Sequence, residues 1–106
     1  MSEVLLYQRE DGHSPFADWF DALDRQAAAK VTIAVERLSR DNCSNIKGVG
    51  AGLLEYRIDW GPGYRIYFGR DGEKLVILLT GGTKRRQGED IERAKVLWVD
   101  YKKRRT

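Results

Sequence analysis

The chain has 106 residues, 42% hydrophobic and 33% charged, with a formal net charge of +3 and a sequence pI near 9.1. A chain of this length buries roughly two-thirds of the surface it exposes when unfolded, so residues 1–106 are expected to form a single domain around one core. The lone Cys43 excludes an internal disulfide, and no apolar run approaches the roughly 20 residues of a bilayer span, so the expected location is cytoplasmic, with no membrane partner.

Val4 to Arg9 reads as a short strand that Asp11-Gly12 ends. Ser14-Pro15 then marks a helix start, with Ser as N-cap and Pro in the first helical position. Phe16, Trp19, Phe20 and Leu23 follow at i, i+3, i+4 and i+7, one apolar stripe of an amphipathic helix. A second helix, from about Arg25 to Arg40, carries Ala27, Val31, Ala34, Val35 and Leu38 on one face, and the pair is expected to cover a sheet as a helical hairpin. From Asp41 to Gly52 the pattern dissolves into Asn, Ser and Gly. GVGAG at 48–52 lacks the spacing of a dinucleotide fingerprint and precedes no Lys-Ser/Thr, so a mobile connector is expected there.

Two consecutive hairpins come next, LLEYRIDW-GPG-YRIYFGR-DG-EKLVILLT. A three-residue GPG loop pairs Trp60 with Tyr64, Ile58 with Ile66 and Tyr56 with Phe68 on the core face, and sets Asp59 opposite Arg65 and Arg57 opposite Tyr67 on the other. A two-residue turn at Asp71-Gly72 pairs Phe68 with Leu75 and Ile66 with Ile77, which puts Leu75, Ile77 and Leu79 under the helices and Val76, Leu78 and Thr80 beside Arg65 and Tyr67. Strand parity continued through Gly81 and Gly82 brings Lys84 to that second face. Two readings of the face stay open: a cross-strand ladder of ion pairs, or an open cationic surface for a phosphate-bearing ligand. The last segment, about Arg86 to Arg104, is a helix with Ile91, Ala94, Trp98 and Tyr101 on one face, acidic residues at its start and basic residues at its end.

LLEYRIDWGPGYRIYF followed by LLTGGTKRRQGEDIERAK resembles the RelE/ParE superfamily of type II toxins, and more closely its HigB-like branch of addiction-module killer proteins. DGHSPFADWFDALD fits the same branch, and the resemblance runs from Tyr7 to about Trp98. It implies an α+β fold of order β-α-α-β-β-β-α, the order the pattern itself yields: a small, mostly antiparallel sheet with the helical hairpin on one face and a C-terminal helix. It also implies a toxin that cleaves mRNA in the ribosomal decoding site by a metal-independent ribonuclease reaction, with no cofactor. The implied partners are the ribosome, mRNA and a cognate antitoxin, a helix-turn-helix protein through which operator DNA is bound. A ParE-like inhibitor of DNA gyrase and a non-catalytic antitoxin-binding regulator are the alternatives.

Attack of a ribose 2′-OH on the adjacent phosphate needs a base, an acid and cations for the extra charge, and an arginine fork suits the last role. By the resemblance, Arg65 of GYR matches the phosphate-stabilising arginine and Lys84 the cation after the last hairpin strand. Arg57 is a further candidate for a phosphate, or else the ion-pair partner of Asp59. The family's tyrosine six residues beyond the post-strand cation is Asp90 here, which can act as a base or favour the helix N-terminus. Tyr67 is read as a base-stacking ring or a packed one, and Gln87 as a ligand to base or phosphate or a first-turn residue. Arg85 and Arg86 complete the candidate RNA-binding set. His13 is the only histidine, which excludes a two-histidine mechanism; no metal ligands are expected, and Cys43 is read as incidental.

Overall fold

A computed structural model describes residues 1–42 and 44–105, so the reading of Cys43 lies outside the described residues. Strand β1 (Glu3–Leu6) leads into α1 (Pro15–Asp21) and α2 (Arg25–Ser39). Four strands follow, β2 (Ile46–Gly50), β3 (Leu53–Ile58), β4 (Tyr64–Asp71) and β5 (Leu75–Thr83), then a 3-10 turn (Lys84–Arg86) and α3 (Gln87–Arg104). The strands form one sheet in the order β1-β5-β4-β3-β2; β1 runs parallel to β5 and the other neighbours are antiparallel. None of the helices is long and apolar enough to cross a membrane among the described residues.

Helix α1 starts where its cap predicts: Ser14 Oγ accepts from the Ala17 amide at 3.1 Å with Pro15 opening the helix, and at the start of α2 Asp24, which the sequence reading did not single out, accepts from the Ala27 amide at 2.8 Å. Phe16, Ala27, Val31, Ala34 and Leu38 press onto one face of the sheet, against Tyr56, Ile58, Ile66, Phe68, Val76 and Leu78. On the opposite face Ala94, Leu97 and Trp98 of α3 pack on Leu53, Tyr67, Ile77 and Leu79. The sheet is thus sandwiched between two helical layers, each with its own core.

Three expectations are corrected. The expected connector contains β2, an edge strand that pairs Ile46 with Tyr56 and Lys47 with Glu55, and the GVGAG glycines serve its turn, where Gly50, Ala51 and Gly52 all have positive φ. The β3–β4 loop is five residues long, 59–63, because β3 ends at Ile58, which pairs with Tyr64; each partner shifts by two, so facing is kept while Arg57 meets Arg65 and Glu55 meets Tyr67. Along β4–β5 a wider turn pairs Asp71 with Leu75 and Phe68 with Leu78, and a bulge after Tyr67 then shifts the register. The wider turn reverses the facing of the first part of β5, so that Val76 and Leu78 lie under α1 and α2 and Leu75, Ile77 and Leu79 lie under α3, whereas beyond the bulge Thr80 pairs with Tyr67 and keeps the expected face.

Candidate active site

The face expected to be open is covered, because α3 lies across it. Arg65 is only 4% exposed, and Tyr67 and Glu55 are fully buried. Arg65 Nη1 donates to the Tyr64 carbonyl at 3.1 Å, and its Nε stands 3.6 Å from Glu55 Oε1, an ion pair without a completed hydrogen bond. The other Glu55 oxygen accepts from Gln87 Nε2 at 2.6 Å, which ties the first residue of α3 down onto β3. Tyr67 sits beside Glu55, yet its hydroxyl completes no hydrogen bond. Burial, then the charges of Glu55 and Asp90, push its ionisation far above the usual tyrosine range.

Asp90, on the first turns of α3, is 3% exposed and its Oδ2 has no hydrogen-bond partner among the described residues. Burial raises its pKa above the ordinary 3.8, against the pull of the nearby Arg93 and Arg86 charges. It reaches that depth because Gly82 has no side chain: a Cβ there would occupy the space of the carboxyl group. The neighbouring Gly81 does the same for the Trp19 ring of α1 on the other face. The GG pair therefore admits one close contact from each helical layer.

Lys84 is exposed at the start of the 3-10 turn, and its amide donates to the Gly63 carbonyl at 2.6 Å. Gly63 has φ of +79°, and a Cβ built on it would lie 3.3 Å from Lys84 Cβ and 3.6 Å from Arg65 Nη1. The loop glycine, the Arg65 fork and the root of the Lys84 side chain thus meet at one point. Arg85 and Arg86 are exposed on the same turn, with Arg86 paired to Glu89 at 3.0 Å. No group of three or more His, Cys, Asp or Glu side chains is arranged to hold a metal among the described residues.

The structure therefore brings Arg65, Tyr67, Gln87 and Asp90 together with Glu55, and sets Lys84 at their edge. Tyr67 presents no ring face to a base in this form, and the Gln87 amide points inward to Glu55. Arg57 is separate: its Cα pairs with Arg65, but the residue is exposed where Arg65 is buried. The ladder through Asp59 does not form, since Arg65 pairs with Glu55 instead. Glu55 is the residue that sequence reasoning missed, although its place in LLEYRID, two positions from Arg57, already set it on the face of Arg65.

A family model described as phage derived protein Gp49-like (DUF891) matches residues 18–98. An uncharacterized protein of Haemophilus influenzae is 43% identical over 83 residues, 77% of this chain and 84% of that protein. The match spans the second half of α1, all of α2, strands β2 to β5 and most of α3, so the chain belongs to the Gp49-like family of phage-derived proteins, a family of RelE/Gp49-type toxins.

Proposed function

We propose that this protein is the toxin of a type II toxin–antitoxin pair and a ribosome-dependent, metal-independent mRNA endonuclease of the HigB-like kind, working in the cytoplasm under the restraint of a cognate antitoxin. The observation that carries the reading is the meeting of Arg65 and Lys84 at Gly63. Two cations there suit a phosphate carrying the extra negative charge of a phosphorane, and an arginine fork can deliver two charge-assisted bonds to it.

In the reaction the 2′-oxygen forms a bond to phosphorus while the bond from phosphorus to the 5′-oxygen breaks, leaving a 2′,3′-cyclic phosphate and a 5′-hydroxyl. One proton leaves the 2′-OH and one joins the departing oxygen. Asp90 is the group proposed to carry a proton, because its raised pKa brings the protonated form nearer to neutral pH. Glu55 is a positioning residue that aims the Arg65 fork. Since Arg65 is nearly closed to solvent, the Lys84–Gln87 turn must yield to admit a phosphate, and the Gln87–Glu55 bond is the contact to be released.

The test is induction of the wild type and of Arg65→Ala and Lys84→Ala variants in cells, followed by mapping of transcript 5′ ends. New ends and growth arrest are expected from the wild type, with both lost in the variants. Equal toxicity of all three with no new ends overturns the reading, and an accompanying DNA-damage response selects gyrase inhibition in its place.

A further inference from the structure

Strand β1 closes one side of the sheet, and its outer edge is open. The amides of Glu3 and Tyr7 donate to the Lys74 and Leu78 carbonyls at 2.7 and 2.9 Å, so the odd-numbered residues of the strand turn their backbone groups to β5. By alternation, the N–H and C=O groups of Val4 and Leu6 point away from the sheet. The open stretch is bounded on both sides of that pair: the Ser2 amide is spent on the Ser39 carbonyl, and the Gln8 carbonyl is taken by Arg104. The edge is also apolar, with Leu5 and Leu6 41% and 43% exposed. On its α3 side Leu5, Tyr7, Ile77 and Tyr101 line a hollow of about 260 Å³, and on the other side Val4, Leu6, Phe16 and Val35 line one of about 300 Å³. A strand added to this edge would find a backbone ladder, with a hollow on each face for its alternating side chains.

We propose that β1 is the contact of a symmetric homodimer, in which it pairs antiparallel with β1 of a second copy about a two-fold axis at Leu5. The backbone sets the register. With Leu5 opposite Leu5 of the second copy, Val4 stands opposite Leu6 and Leu6 opposite Val4. Each of those pairs exchanges two N–H to O=C bonds, so every outward group of both copies is used. A shift of two residues either way would set Leu6 against Ser2 or Val4 against Gln8, whose backbone groups are already taken. Charge names the occupant. Glu3 is exposed and shares the α3 face with Leu5 and Tyr7, and the register places it opposite Tyr7 of the second copy. The Arg104 guanidinium lies 5.5 Å from the centroid of that tyrosine ring. Each copy thus brings a carboxylate at one end of the edge and a guanidinium at the other, an arrangement that a two-fold axis makes complementary to itself. The contact lies across β5 from Arg65, and it does not depend on the ribonuclease reading.

The experiment is sedimentation velocity of the purified full chain over a concentration series, joined to native-state hydrogen exchange at the dilute and concentrated ends. A reversible dimer is expected. The Val4 and Leu6 amides should exchange fast in the dilute sample and be protected in the concentrated one, while the Leu5 and Tyr7 amides are protected in both. Glu3→Arg turns two attractions into two repulsions and should weaken the dimer by roughly tenfold, and Glu3→Arg/Arg104→Glu should restore it. Each variant is checked for an unchanged melting curve; if Arg104→Glu loosens α3, exchange at Val4 and Leu6 of the wild type decides. A chain that stays monomeric at every concentration overturns the proposal. So does a dimer that leaves Val4 and Leu6 unprotected, or a Glu3→Arg variant that associates as tightly as the wild type. A monomer in which those two amides become protected only when an antitoxin is bound assigns the edge to that partner, and likewise overturns the homodimer.

Discussion

Glu55 Oε1, Arg65 Nε, Tyr67 Oη and Asp90 Oδ2 are buried polar atoms without hydrogen-bond partners among the described residues, and all four sit where the first turns of α3 meet the sheet. Each such atom costs about 1–3 kcal/mol of desolvation, and folded proteins keep few of them outside functional sites. Asp90 makes this cost measurable. A carboxyl whose folded pKa lies above its unfolded value holds more protons when folded, so the fold loses stability as pH rises from 3.8 through the raised value. Asp90→Asn cannot ionise and escapes that loss. Urea unfolding of both proteins between about pH 3 and pH 7 should show the variant gaining on the wild type across that window and levelling off above it. A difference independent of pH would mean that the carboxylate is compensated in the fold.

Gly63 joins the β3–β4 loop to the turn that opens α3, through the bond its carbonyl accepts from the Lys84 amide. With φ of +79° it lies where an L side chain costs about 1–2 kcal/mol, and a Cβ there would crowd Lys84. Gly63→Ala should lower stability by about that amount and reduce transcript cleavage far more than stability, whereas Gly72→Ala, at φ of +73° with open space around it, should lower stability alone. Parallel denaturation curves and transcript-end maps check the contrast. The same elements show what the sequence could and could not reveal. Ser14, Pro15 and the apolar stripes placed α1, α2 and α3 because caps and 3.6-residue spacing are local signals. The strand faces of β3 and β4 were legible from alternation. The pairing register was not, because loop length and the bulge after Tyr67 are set by packing on both faces of the sheet, and one extra residue reverses the facing of β5. Strand β2 was hidden for a related reason: Lys47, Gly48 and Gly50 give an edge strand little apolar alternation. The burial of Arg65 escaped notice because the resting place of α3 depends on Gly69 and Gly82, which admit Trp98 and Asp90 against the sheet.

At the scale of the molecule, α3 is fastened unequally along its length. Near its C-terminal end Tyr7 donates to Asp100 at 2.5 Å, Tyr101 donates to Asp71 at 2.7 Å, Arg104 bonds the Gln8 carbonyl, and the Trp98 ring is seated against Gly69 of β4. The Tyr101 ionisation, pushed up to about 12 by burial and then by its bond to Asp71, keeps that donor protonated at any physiological pH. At the N-terminal end the ties to the sheet are the Gln87–Glu55 bond and the seat of Asp90 on Gly82, amid the unpaired atoms. Local opening follows the weakest contacts, so the helix should fray from the end that covers Arg65 while its other end stays docked. Native-state hydrogen exchange should therefore find the amides of residues 91–93 exchanging well before those of 97–101, with Gln87→Ala widening the gap and leaving the later set unchanged. The amides of 91–93 bond within the helix and so report its opening. Uniform protection along α3 would show that it moves only as a whole, and admission of a phosphate to Arg65 would then require the entire layer to lift from β4 and β5.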